Sequence, residues 1–225
     1  MQTPDSSVVT NLLGNTHRTK ILVFLMDNRF HTVNEITRAT TLKANTISFH
    51  LAKLTAQNWL ESYVQGRWHY FRLADRQIAD LIEQILVVSP QKNVHSFREN
   101  QQQAALQNAR TCYSHLAGKL GVVLMQQLVE KNWITQERAG LTITSKGFAL
   151  LEKHFEIVFT DHECRQNDLI LPCIDWSERK FHLKGLMGRR LLEAMFDQEW
   201  LYRPNQTRAV ALTKRGKQQF NELFK

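Results

Sequence analysis

Cysteine, proline and glycine are all scarce in this 225-residue chain, at three, four and nine residues. Three cysteines, an odd number at this length, argue against a disulfide scaffold and for reduced thiols. With so little proline and glycine, the fold is expected to be mostly helical with short turns. No run of 18 apolar residues occurs, so no ordinary membrane-spanning helix is expected. Residues 1–7 are polar and lack a signal-peptide pattern, and the expectation is a soluble, cytoplasmic protein. A Gly-rich phosphate loop, a nucleophile elbow and a His-Glu-x-x-His element are all missing, so the chain reads as a non-enzyme.

Positive charge is in surplus: 29 Lys and Arg against 21 Asp and Glu give a formal charge of +8, which suits a polyanionic partner. Residues 15–27 place Ile21, Leu22, Leu25 and Met26 at amphipathic spacing. Thr32 with Glu35 forms a capping-box pattern that starts a second helix. After the short turn Thr40-Thr41-Leu42-Lys43, a third helix over 44–58 buries Ile47, Leu51 and Leu54. Two helices joined by a tight turn, the second with polar residues outward, make a helix-turn-helix. Its expected outward set is Lys43, Asn45, Thr46, Ser48, Phe49, His50 and Lys53. Asn45 and Thr46 lie where recognition helices meet base edges, and the helix N-terminus attracts phosphate. Residues 60–73 read as two strands around Gln65-Gly66-Arg67, a basic wing carrying Arg67, His69 and Arg72. A helix over 75–88 follows, with Ile78, Leu81, Ile82 and Ile85 on its apolar face.

These motifs resemble those of the ArsR-type (ArsR/SmtB-like) winged helix-turn-helix regulators. The resemblance lies in Asn45-Thr46-Ile47-Ser48-Phe49-His50-Leu51-x-x-Leu54, in the wing 66–73, and in Leu12-Leu13-Gly14-Asn15-Thr16-His17-Arg18-Thr19-Lys20-Ile21-Leu22 before them, and it covers roughly residues 8–88. It implies a homodimer that occupies a palindromic operator on double-stranded DNA and leaves when an inducer binds. Metal-sensing members often carry cysteines on the helix before the recognition helix, or His and Asp on the helix after the wing. Residues 31–38 hold no cysteine and residues 75–83 no histidine, so neither inherited metal site is expected.

The second half repeats itself. His115-Leu116-Ala117-Gly118-Lys119-Leu120-Gly121 and His182-Leu183-Lys184-Gly185-Leu186-Met187-Gly188 are offset by 67 (182 − 115, 188 − 121), as are Trp133 and Trp200 (200 − 133). Thr144-x-x-Gly147 and Thr213-x-x-Gly216 follow at an offset of 69 (213 − 144). The expected architecture is mainly α with small β-hairpins. A winged helix-turn-helix over 1–90 and a linker with a connecting helix over 91–108 precede a duplicated domain over 109–225. Its two winged-helix-like helix–hairpin–helix units span about 109–158 and 170–225. Long helices are expected over 109–132 and 177–199, with hairpins at Arg138-Ala139-Gly140 and Pro204-Asn205. Leu54-x-x-x-Asn58-Trp59 parallels Leu128-x-x-x-Asn132-Trp133 and, more loosely, Phe196-x-x-x-Trp200, an echo read as helix-end core packing.

Chemically loaded residues precede both Gly-x-x-Gly elements: Arg110, Cys112, Tyr113 and His115 before the first, and Cys173, Asp175, Trp176, Glu178, Arg179 and His182 before the second. Cys112 and His115, three apart, are expected on one helix face, and His115 and His182 across a pseudo-twofold axis from each other. Three readings stay open for Cys112, His115, Cys173, Asp175, Arg179 and His182. They form a structural network in which the Gly pairs let the helices approach, a pocket for a small-molecule effector, or a metal or thiol switch. Cys112, His115, Cys173 and His182 are the candidate metal ligands, without zinc-finger spacing. Cys164 is expected to be exposed. The elements Cys112-Tyr113-Ser114-His115-Leu116-Ala117-Gly118 and Cys173-Ile174-Asp175-Trp176-Ser177-Glu178-Arg179 also resemble long-form ArsR-type proteins, which attaches no ligand or cofactor to them. The leading expectation is a homodimeric repressor released by an effector in the C-terminal domain. A constitutive architectural DNA-binding protein and a thiol–imidazole enzyme are the alternatives.

Overall fold

The computed structural model describes residues 3–90, 96–137 and 140–225, in two compact units. One comprises the chain up to Ile85 with Gln206–Arg208, and the other Leu86–Asn205 with Ala209–Lys225. Among the described residues, no helix is long and apolar enough to cross a membrane.

In the first unit, α1 (Ser6–Leu13) and α2 (Thr16–Phe24) lead into β1 (His31–Thr32), α3 (Val33–Thr40) and α4 (Ala44–Ala56). The hairpin of β2 (Leu60–Gln65) and β3 (Trp68–Leu73) follows, and α5 (Arg76–Val88) completes it as far as Ile85, its residues from Leu86 on belonging to the second unit. The capping box of Thr32 and Glu35 starts α3, and Thr41, at φ 59°, ends it in the left-handed conformation. That reversal sets α4 against α3 and buries Ile36, Ile47, Leu51 and Leu54 with Ile21, Leu22, Leu25 and Met26. The sheet order is β1-β3-β2, and Gln65 pairs with Trp68 across the two-residue turn Gly66-Arg67. Gly66 sits at φ 60°, which such a turn demands.

The second unit opens with α6 (Phe97–Asn108) and then runs through hairpin, helix, hairpin, helix. These are β4 (Arg110–Cys112) with β5 (His115–Ala117), α7 (Gly118–Glu130), β6 (Ile134–Glu137) with β7 (Gly140–Ile143), and α8 (Ser145–Phe155). After the short α9 (Asp161–Cys164), the same order recurs. It consists of β8 (Leu171–Ile174) with β9 (Phe181–Lys184), α10 (Gly185–Asp197), β10 (Leu201–Tyr202) with β11 (Ala211–Leu212), and α11 (Lys214–Leu223). The long helices expected over 109–132 and 177–199 are therefore corrected: each begins as a hairpin and becomes helical only at Gly118 or Gly185. The turn expected at Arg138-Ala139-Gly140 lies partly outside the described residues, and the one at Pro204-Asn205 widens to a loop over 203–210.

Three helices end alike. Asn58, Asn132 and Glu199 sit at φ 57°, 59° and 59°. The next residue, Trp59, Trp133 or Trp200, donates its N–H back to Leu54, Leu128 or Met195 O at 2.9, 2.8 and 2.8 Å. This is a Schellman closure, and the third partner is Met195, one residue before the Phe196 of the sequence parallel. Each Trp carbonyl then accepts from Ala74, Thr144 or Thr213 N–H, tying the far end of the following hairpin to the helix end.

Candidate functional site

In the first unit the polar face of α4 is built by exclusion. Its apolar residues point into the core, leaving Asn45, Ser48, Phe49 and Lys53 exposed and Thr46 half-buried. Lys43, also exposed, occupies the N-cap without a side-chain capping bond, so the first-turn N–H groups keep donors to offer. Lys53 Nζ stands 4.6 Å from the Phe49 ring centre. His50 is a correction to the outward set. It is buried one helical turn below Thr46, edge-on to His17 at 5.6 Å between ring centres. Burial, then the charges of Arg18, His17 and Lys53, lower its pKa, so it belongs to the core. Arg67 and His69 are exposed on the wing, Arg67 against the Trp68 ring at 5.0 Å. Arg72, also read as basic wing, is ion-paired with Glu61. A groove of about 800 Å³ lies between α4 and the wing, with Ser48, Ala52, Arg67 and His69 on its walls.

The second unit gathers the other candidates. Antiparallel pairing sets Cys112 opposite His115 and Cys173 opposite His182. Side chains directly opposite each other share a face, so each hairpin presents one thiol and one imidazole. Cys112 and His115 are thus cross-strand partners, which corrects their expected place on one helix face. The two hairpins bring the four side chains together, with all four ligand atoms within 4.8 Å of one another and all four residues buried. His115 Nε2 lies 3.1 Å from His182 Nε2, and the rings stack at 5.0 Å. Burial pushes His115 down to about 4, only partly opposed by Cys173, so its imidazole is neutral near pH 7. The Cys173 thiol is held well below its ordinary range by the Cys112 thiol, against burial, with help from both histidines.

The Gly-x-x-Gly elements seat these histidines crosswise. A Cβ on Gly121 would stand 2.5 Å from Leu116 O and 3.5 Å from His182 Cβ. One on Gly188 would stand 2.7 Å from Leu183 O and 3.3 Å from His115 Cβ. Those glycines admit a hairpin strand and the other repeat's histidine, rather than the close helix–helix approach expected of them.

Asp175 organises the surroundings. Its Oδ2 accepts from Arg110 Nη2 at 3.0 Å and from Gly118 N at 2.6 Å, at the start of α7. Its Oδ1 accepts from Ser177 N and Oγ and from Glu178 N at 2.9, 2.7 and 3.1 Å. His182 Nδ1 lies 3.4 Å from Asp175 Oδ2. Burial pushes the Asp175 carboxyl up, but Arg110, Ser177 and the backbone donors outweigh it and hold it below the usual carboxylate range. Arg110 is itself fully buried and stacked at 4.3 Å on the Trp176 ring. Arg179, expected beside the cluster, is instead exposed at φ 56° and donates to Val87 O. The longer turn of the second hairpin carries it outward, and Arg110 supplies the guanidinium. Cys164 is exposed, away from this group.

Comparison with known proteins assigns the chain. Over 219 residues it is 36% identical to YdfF, an uncharacterized HTH-type transcriptional regulator of Bacillus subtilis (strain 168), covering 97% of this chain and 96% of the relative. The chain belongs to the HTH-type transcriptional regulators. Two solved structures match this regulator in part. HlyU from Vibrio cholerae is 22% identical over 36% of this chain and 86% of its own, with a TM-score of 0.33. A homodimeric winged helix-turn-helix DNA-binding domain from Mycobacterium bovis, a possible ArsR-family transcriptional regulator, is 23% identical over 42% of this chain and 98% of its own, at 0.34. No protein-family model matches the chain.

Proposed function

We propose that this regulator is an ArsR-type repressor that grips a palindromic operator as a homodimer. Asn45, Thr46 and Ser48 read base edges, and Phe49 offers an apolar contact to a thymine methyl. Lys43, Lys53, Arg67 and His69, with the N–H groups opening α4, hold phosphates. The observation that carries this reading is α4 itself: it keeps a buried apolar side and turns Asn45, Ser48, Phe49 and Lys53 to solvent beside a wing tipped by Arg67. Dimerisation is supported by α5, where Leu81 is exposed and Ile78 and Ile85 are half-buried, an apolar face left for a second copy. Effector-driven release would act through the second unit, where buried polar side chains gather around Cys173 and His182, and requires an effector that binds one state of that unit better than the other.

Operator selection from random duplexes, followed by anisotropy titration and sedimentation of the complex, tests the reading. The expected result is two chains per selected site, with half-sites about one helical turn apart. A monomer at micromolar concentration with and without DNA, or equal affinity for selected and random duplexes, counts against it.

A further inference from the structure

We infer that Cys112, His115, Cys173 and His182 form a closed tetrahedral site for one zinc(II) ion, which clamps the two hairpins of the second unit together. Each hairpin contributes one sulfur and one nitrogen, so neither holds the ion alone. A two-sulfur, two-imidazole set with no position left for water is a structural zinc donor set. The geometry fits: two nitrogens each about 2.0–2.1 Å from a tetrahedral zinc stand about 3.3 Å apart, and the histidine Nε2 atoms stand 3.1 Å apart.

The charges close as well. Both thiols enter as thiolates and release their protons, and both imidazoles enter neutral, so the centre carries +2 − 2 = 0. A neutral centre is one that a pocket of four buried side chains tolerates. Asp175 lies 3.4 Å from His182 Nδ1, the place of the outer carboxylate that fixes a ligating imidazole with its other nitrogen toward the metal. Arg110 balances that carboxylate at 3.0 Å. Asp175 is a positioning residue here and touches no metal.

The three cysteines supply an internal control, because Cys164 is exposed and outside the cluster. Full-length protein, reduced and stripped with chelator, is titrated with cobalt(II) and, separately, treated with zinc(II) and then a maleimide. The expected results are one equivalent of cobalt with thiolate-to-metal charge transfer and tetrahedral ligand-field bands. Zinc should protect Cys112 and Cys173 while Cys164 still reacts. Cys112→Ser and His115→Asn should each remove the spectrum or weaken binding at least tenfold, and Asp175→Asn should weaken it about 10–100-fold with the band shape retained. Wild-type protein that shows no charge transfer, or three thiols equally reactive with zinc present, overturns the site. So does a Cys112–Cys173 disulfide that forms in air as readily with zinc as without. These readouts need no DNA, so their failure leaves the operator-binding proposal standing, and wild-type protein suffices if a variant misfolds.

Discussion

Asp175 accepts five hydrogen bonds, and its removal is not one loss but several. In Asp175→Ala the guanidinium of Arg110, fully buried, keeps its charge and loses its counterion. Breaking a buried pair in this way costs about 3–5 kcal/mol, so urea denaturation should show a loss of that size. Asp175→Asn keeps the acceptor Oδ1 and should lose less; equal losses would mean that the hydrogen bonds to Oδ1 contribute nothing and the charge carries the whole effect. On α4, Asn45→Ala should cost about 1–3 kcal/mol and relax selectivity at one base position. Arg67→Ala should weaken all sequences alike and make the salt slope shallower by about one unit. Paired titrations of selected and random duplexes separate the two effects, and a uniform loss for Asn45→Ala would refute the base-reading role.

At the scale of elements, the shared helix ending makes two opposite predictions. Glu199 is exposed and occupies the left-handed region at φ 59°, a conformation costing a branched-out side chain about 1 kcal/mol or more relative to glycine. Glu199→Gly should therefore raise the melting temperature, and an unchanged or lower value would contradict the account of that helix end. Gly147→Ala should do the reverse, because the added Cβ would lie 2.0 Å from Trp133 O, a backbone atom fixed by its bond from Thr144. A loss of more than about 1 kcal/mol, beyond a propensity effect, is expected on denaturation.

The elements legible in the sequence were those with local signals. The capping box of Thr32 and the turn at Gly66 both stand where pattern and propensity put them. The hairpins β4–β5 and β8–β9 were hidden for physical reasons. All six residues of the first pair are buried, so no in–out alternation marks them as strands. Their turns use Tyr113 and Arg179 at φ 56°, where glycine or asparagine would have signalled a reversal. The meeting of His115 with His182 was readable from the repeat offset. The route by which the chain achieves it was not, and neither was the burial of His50, whose position on α4 falls between the polar and apolar faces.

For the whole molecule, a formal charge of +8 predicts that binding to random DNA falls steeply with salt, the slope counting the phosphates neutralised. A salt-independent affinity would point away from the basic face of α4 and the wing. A different consequence follows from the spacing of the crosswise contacts. His115 meets His182 across 67 residues, and Arg110 meets Asp175 across 65. During synthesis the first hairpin emerges with a guanidinium, a thiol and an imidazole unmatched, and dozens more residues must be made before their partners exist. Contacts so distant along the chain bear the full cost of loop closure before they return anything. The first repeat therefore waits for the second, and the two halves acquire their native packing together, late, in a single cooperative event.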